Sequence, residues 1–228
     1  MTRITIFGAL ALALFAGAAL WLNSTPTPQQ AALPFAAVNA QESDAADEEI
    51  DISTITEMAL GPEDAEVTMI EYASFTCPHC ARFHADQFKQ LKADYIDTGK
   101  IRFIYRDVYF DRYGLWASMV ARCGGPERFF GIADMIYDQQ RDWIGDVQDP
   151  VAIADRLRKI GKVAGLEEEQ LEACLTDNTK AKTLVAWYQQ NAEADDVNST
   201  PTLVINGEKH SNMSYAELSE MLDGLLSE

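Results

Sequence analysis

Positive charge is scarce in this chain. Its 228 residues hold 18 Lys and Arg against 36 Asp and Glu, a formal net charge of -18. Such a surface repels a phosphate backbone, so nucleic acid is excluded as a partner. Histidine is scarcer still: His79, His84 and His210 are the only three, and the four cysteines include a single Cys-x-x-Cys pair, Cys77 and Cys80. A structural zinc site needs four ligands, and with no second such pair no metal is expected. The residue after Cys80 is Ala81 rather than histidine, which excludes covalent haem attachment. There is no internal repeat, heptad or collagen pattern. No strand-like alternation precedes Ile52, so nothing there reads as a separate dimerisation domain.

What is present is a core-forming composition, 47% hydrophobic and 10% aromatic, enough for one domain with an insertion or one domain plus a targeting segment. Arg3 precedes an uncharged apolar stretch from Ile4 to Leu22, the pattern of an export signal, though long enough to approach a membrane anchor. Residues 1–24 are therefore expected to be a signal peptide or anchor. Residues 25–57, rich in Pro, Ala and acidic side chains, are expected to be a flexible linker. Export places the cysteines in an oxidising compartment, where four of them allow three pairings into two disulfides.

From residue 58 the pattern is that of a folded domain. The segment Val67–Phe75 (VTMIEYASF) is β-branched and aromatic and predicts a buried strand. Thr76 is placed to cap a following helix, with Pro78 in its first turn, and Phe83, Phe88, Leu91 and Tyr95 give that helix an imperfect apolar stripe. The segment Ile101–Phe110 predicts a second strand, completing a βαβ unit with the cysteine pair between strand and helix. Helical segments are predicted at Tyr113–Cys123, Glu127–Tyr137, Val151–Ile160, Glu167–Leu175 and Thr179–Ala194. A short strand at Leu203–Ile205, the hairpin signal Asn206-Gly207, a return strand Glu208–His210 and a helix over Tyr215–Leu226 close the chain. The expected architecture is α/β: a βαβ half and a ββα half split by an all-helical insertion at about 113–194.

The pair itself carries the chemistry. A thiol attacks as its thiolate, and a helix N-terminus stabilises that anion through its free N–H groups and partial positive charge. Cys77 is expected at such a terminus with Cys80 one turn inward, and His79 between them is placed to donate to the thiolate or add positive charge. Stabilising the reduced thiolate makes the disulfide a stronger oxidant. A purely structural crosslink at this spacing would constrain little chain entropy.

The stretch EYASFTCPHC, Glu71 to Cys80, resembles the active site of DsbA-type thiol–disulfide oxidoreductases of the thioredoxin fold, whose typical dipeptide between the cysteines is Pro78-His79. The resemblance covers roughly Ala59 to Leu226, helical insertion included. It implies that Cys77 is the nucleophile, Cys80 the resolving cysteine and Glu71 the buried acid near the pair. It also implies that Thr200-Pro201 is a cis-proline loop that helps hold extended substrate. An acid in the otherwise apolar strand around Glu71 would accept or relay a proton as Cys80 reacts. Cys123 and Cys174 are expected to form a structural disulfide between two insertion helices, the alternative being two buried free thiols. The implied activity is oxidation of reduced or unfolded exported proteins in the periplasm, without cofactor or metal, with reoxidation by a DsbB-like membrane oxidase. Thr200 before Pro201 keeps an isomerase or reductase open, since threonine at that place also occurs in isomerases. An exported chaperone or binding module whose disulfides are only structural is the non-enzymatic alternative.

Overall fold

The computed structural model describes residues 50–145 and 149–227. The expected signal or anchor, 1–24, and the linker as far as residue 49 lie outside the described residues. The rest of the linker reading is corrected. Ile52–Thr54 is a 3-10 turn capped by Asp51, whose carboxylate accepts from the Ser53 N–H. Ile55 is buried against Met119, Leu184 and Trp187, and this apolar side chain docks the segment onto the domain.

The strands are β1 (Met58–Leu60), β2 (Val67–Ala73), β3 (Ile101–Asp107), β4 (Thr202–Ile205) and β5 (Glu208–Ser211). They form one sheet in the order β1-β3-β2-β4-β5. Strand β2 lies at its centre, parallel to β3 and antiparallel to β4. Val67, Met69, Tyr72 and Ala73 are fully buried, as a strand covered on both faces requires. Strand β1 was not expected. Its three residues are too few to show a period, and it is defined by antiparallel pairing of Met58 with Tyr105 and Leu60 with Phe103. Gly61 ends it at φ +83°, where a Cβ would lie 2.2 Å from the Ile101 carbonyl oxygen; only glycine allows that approach.

The helical run after β2 alternates between two geometries. α1 (Pro78–Phe83) leads into a π-helical turn (His84–Phe88), then α2 (Lys89–Leu91) and a second π-helical turn (Lys92–Ile96). A π turn closes hydrogen bonds from i to i+5, so the five-residue step from Phe83 to Phe88 stays on one face. That explains the imperfect stripe: Phe83, Phe88, Leu91 and Tyr95 are all buried.

The insertion comprises α3 (Arg112–Cys123), α4 (Pro126–Asp138), α5 (Gln140–Ile144), α6 (Pro150–Val163), α7 (Glu168–Thr176) and α8 (Asn178–Ala194), and α9 (Tyr215–Leu225) follows the hairpin. Acidic N-caps start three of them: Asp111 accepts from the Tyr113 and Gly114 N–H groups, Asp149 from Val151 and Asp177 from Lys180. Each satisfies donors that a helix start leaves without partners. α3 packs on α4, α6 and α7. It is tied to the sheet by Arg122, which donates through Nε and Nη2 to Asp107 Oδ2 at 2.9 and 2.7 Å and through Nη1 to the Thr56 carbonyl at 3.0 Å. The main core runs continuously from β2 and β3 through the α1 face into α3, α4 and α6.

Candidate active site

Pro78 opens α1, so its N-cap is Cys77 rather than Thr76. The reason is local. Proline fixes φ at the first helical position, while Cys77 keeps extended angles of φ -82° and ψ 119° with no side-chain cap bond. Thr76 is drawn elsewhere, donating to Asp111 Oδ2 at 2.9 Å and lying 3.2 Å from the Ser74 hydroxyl. The Cys77 sulfur is thereby left at the helix end, facing the unpaired N–H groups of the first turn.

The two sulfurs occupy different environments. Cys77 keeps 7% of its surface exposed, and Cys80 none. As a thiol, Cys77 donates to the Thr200 carbonyl at 3.6 Å, across a Thr200-Pro201 peptide bond that is cis. The Cys77 thiol is held down at about 5: the Cys80 thiol donates to its sulfur, and the Thr200 side chain and the N–H groups of Cys80 and His79 add to this against the cost of burial. Cys80 is pushed far the other way, first by burial, then by its bond to Cys77 and the charge of Glu71. One sulfur favours the anion and keeps a small exposed surface, and the other is a fully buried, protonated donor to it.

His79 is exposed, and its Nδ1 lies 2.7 Å from Arg82 Nη2. A guanidinium can only donate, so Nδ1 accepts and the ring proton sits on Nε2. The positive charge against His79 is that of Arg82, which sequence reasoning did not single out; its position three residues after His79 on a helix was the available signal.

Two further groups were missed. Gln140, on the unexpected helix α5, is buried and donates through Nε2 to the Phe75 and Cys77 carbonyls at 2.8 and 2.9 Å. It fastens the insertion to the loop that carries the nucleophile. His84 is buried, and its Nε2 lies 3.0 Å from Glu71 Oε2. The carboxylate itself is fully buried, paired in register with Tyr105 on one side and Leu203 on the other.

The structure thus brings Cys77, Pro78, His79, Cys80, Thr200 and Pro201 to the start of α1, and places Glu71 against His84 in the π-helical turn that follows that helix. Cys123 and Cys174 are joined to each other, with a Cα–Cα distance of 5.9 Å, linking the end of α3 to α7. Among the described residues no cluster of three or more His, Cys, Asp and Glu side chains is assembled for a metal.

The Thioredoxin family model matches residues 53–224. The chain belongs to the thioredoxin family. A Rickettsia bellii protein named as a candidate protein-disulfide oxidoreductase is 33% identical over 177 residues, covering 75% of this chain and 65% of the relative. The chain thus spans slightly less than two thirds of that relative's length. Disulfide bond formation protein D of Bacillus subtilis is 24% identical over 172 residues, covering 72% of this chain and 74% of that protein. Among solved structures, alpha-DsbA1 of Wolbachia pipientis superposes with a TM-score of 0.69 at 26% identity, covering 75% of this chain and 92% of that one. The expected thioredoxin fold with a helical insertion of the DsbA kind is therefore what the chain has.

Proposed function

We propose that the protein is an exported thiol–disulfide oxidoreductase that introduces disulfides into reduced substrate proteins through Cys77 and Cys80. The observation that carries this reading is the asymmetry of the pair. A substrate thiolate attacks the Cys77 sulfur of the oxidised pair, the Cys77–Cys80 bond breaks, and a mixed disulfide forms between substrate and Cys77. A second substrate thiolate then attacks the substrate sulfur, forming the new substrate disulfide and releasing Cys77 as a thiolate. Because that thiolate is stable at neutral pH, the reduced enzyme is a good leaving group and the reaction runs toward oxidised substrate. Thr200 and Pro201, beside the Cys77 sulfur, would hold the extended substrate segment, and Cys123–Cys174 would stabilise the insertion.

The names borne by the Rickettsia and Bacillus relatives support the activity. Arg3 and the uncharged run Ile4–Leu22 support export to a periplasm, either as a cleaved precursor or tethered by that run. A DsbB-like membrane oxidase is the reoxidant that the DsbA likeness implies. No helix among the described residues is long and apolar enough to cross a membrane. Thr200 favours a second reading, in which the same site is kept reduced and works as an isomerase.

The test is stoichiometric. Oxidised protein mixed with a reduced two-cysteine peptide should yield one peptide disulfide per protein, and a Cys77→Ser variant none. Peptide oxidation by that variant would sink the reading.

A further inference from the structure

Glu71 and His84 form a closed pair, and the proton relay expected of Glu71 does not by itself use the imidazole. Strand β2 places the carboxylate and the first π-helical turn places the imidazole, and neither reaches water. His84 sits four residues after Cys80, and its N–H bonds to the Cys80 carbonyl, so the two share a helix face. Among the described residues the titratable groups in contact with the imidazole are Glu71 from β2, Tyr105 from β3 and Tyr137 from α4, with Cys80 one turn earlier on its own helix. The His84 ring stacks on Tyr137 at 4.2 Å between centroids and lies edge-on to Tyr105 at 6.1 Å. The two tyrosine hydroxyls are committed to each other at 2.7 Å, which leaves Glu71 as the polar partner of the imidazole.

The second carboxylate oxygen, Glu71 Oε1, is buried without a hydrogen-bond partner. Such an atom is costly in a native fold, and a proton held there part of the time would offset that cost. A proton arriving from or leaving for Cys80 fits that description. Tyr137, whose ring stacks on His84, also lines an open groove of about 400 Å³ together with Pro78 and Arg82.

We infer that His84 is a positioning residue that holds, through Glu71, the single proton exchanged with Cys80 in each half-cycle. The inference rests on the oxidoreductase reading above. When substrate thiolate attacks Cys77 of the oxidised pair, Cys80 leaves as a thiolate in a site that does not solvate it. The Glu71–His84 pair gives it a proton and becomes a carboxylate beside a neutral imidazole. In reoxidation Cys80 returns that proton to the pair, attacks the Cys77 sulfur of the mixed disulfide and expels the other thiolate. The imidazole N–H bonded to Oε2 keeps the carboxylate paired after each donation, and the ring, unlike a simple hydrogen-bond donor, can itself carry the proton between donations.

The experiment follows reduced protein reacting with glutathione disulfide at a series of pH values, quenched by acid and resolved by mass. Cys77 first forms a mixed disulfide with glutathione, and Cys80 then closes the ring. His84→Gln can still donate one hydrogen bond to Glu71 but cannot hold the proton. It should leave the first step unchanged, slow ring closure at least tenfold, and lose a titration limb that the wild-type ring-closure profile carries. Ring closure at the wild-type rate and pH profile in a folded His84→Gln protein would overturn the inference. If that variant fails to fold, the nitrogen chemical shifts of His84 are followed against pH in wild-type protein. They should titrate differently in the oxidised and reduced states, and identical titrations would overturn it. Failure of wild-type Cys77 to form the mixed disulfide would instead count against the oxidoreductase reading.

Discussion

Cys77 should react as a thiolate at a pH where ordinary cysteines are silent. Its thiol is held at about 5, against about 8.5 for a free cysteine. At pH 5 about half of it is ionised, compared with about 0.03% of a free thiol, a gain of roughly 1,600-fold in thiolate. A less basic thiolate is a weaker nucleophile; with a Brønsted coefficient of about 0.45, the 3.5 pH units between the two values cost roughly 40-fold. The net prediction is reaction with a disulfide reagent such as dithiodipyridine about 40-fold faster than free cysteine at pH 5, and at about the same rate at pH 7. The profile should be flat from pH 8 to about 6. Because the Cys80 thiol is the largest single cause of the depression, Cys80→Ala should move the midpoint upward. It should stop short of the free value, since the N–H groups of the first turn remain. Stopped-flow absorbance at graded pH decides it. A rate that falls tenfold for each pH unit from 8 down to 5, as for free cysteine, would refute the reasoning.

Other consequences follow from the same contacts. The depressed Cys77 value stabilises the reduced fold fully above the unfolded thiol's pH of about 8.5, and that stability is lost as pH falls toward 5, by up to about 1.4 kcal/mol per pH unit; urea titrations of reduced wild type should show this slope and Cys77→Ser should not. Replacing Cys123 and Cys174 by alanine removes a crosslink across a sequence separation of 51, which the chain-entropy model puts at about 4 kcal/mol; urea midpoints should fall accordingly, with the Cys77 profile unchanged. Gln140→Leu leaves the buried Phe75 carbonyl without its donor and the Cys77 carbonyl with the Ala81 N–H alone. It should cost about 1–3 kcal/mol in the same assay and disturb the dithiodipyridine rate as well.

Much of this was legible in the chain because the local signals agreed. Val67–Ala73 carried a β-branched and aromatic strand pattern and Asn206-Gly207 a hairpin, while the longer insertion helices carried helix-forming runs, three of them after an acidic start. The chemistry of Cys77 followed from its place between a strand and Pro78. What was hidden depended on partners distant in sequence. β1 is three residues long and exists through its pairing with β3. α5 is one short turn after Asp138, and the use of Gln140 rests on carbonyls more than sixty residues earlier. Thr76 was expected to cap α1, but the proline one place further on shifted the cap to Cys77 and freed Thr76 for Asp111. The Glu71–His84 contact had a sequence trace, a histidine four residues after Cys80 on the buried helix face. Yet without the π-helical turn and the register of β2 nothing connected it to the acid.

The most direct measurement is the reduction potential of the Cys77–Cys80 pair, by equilibration with glutathione buffers and trapping of free thiols. A stabilised Cys77 thiolate predicts a potential well above the thioredoxin value of about -270 mV. A potential at or below that value, or a pair that does not equilibrate with glutathione at all, would contradict the account.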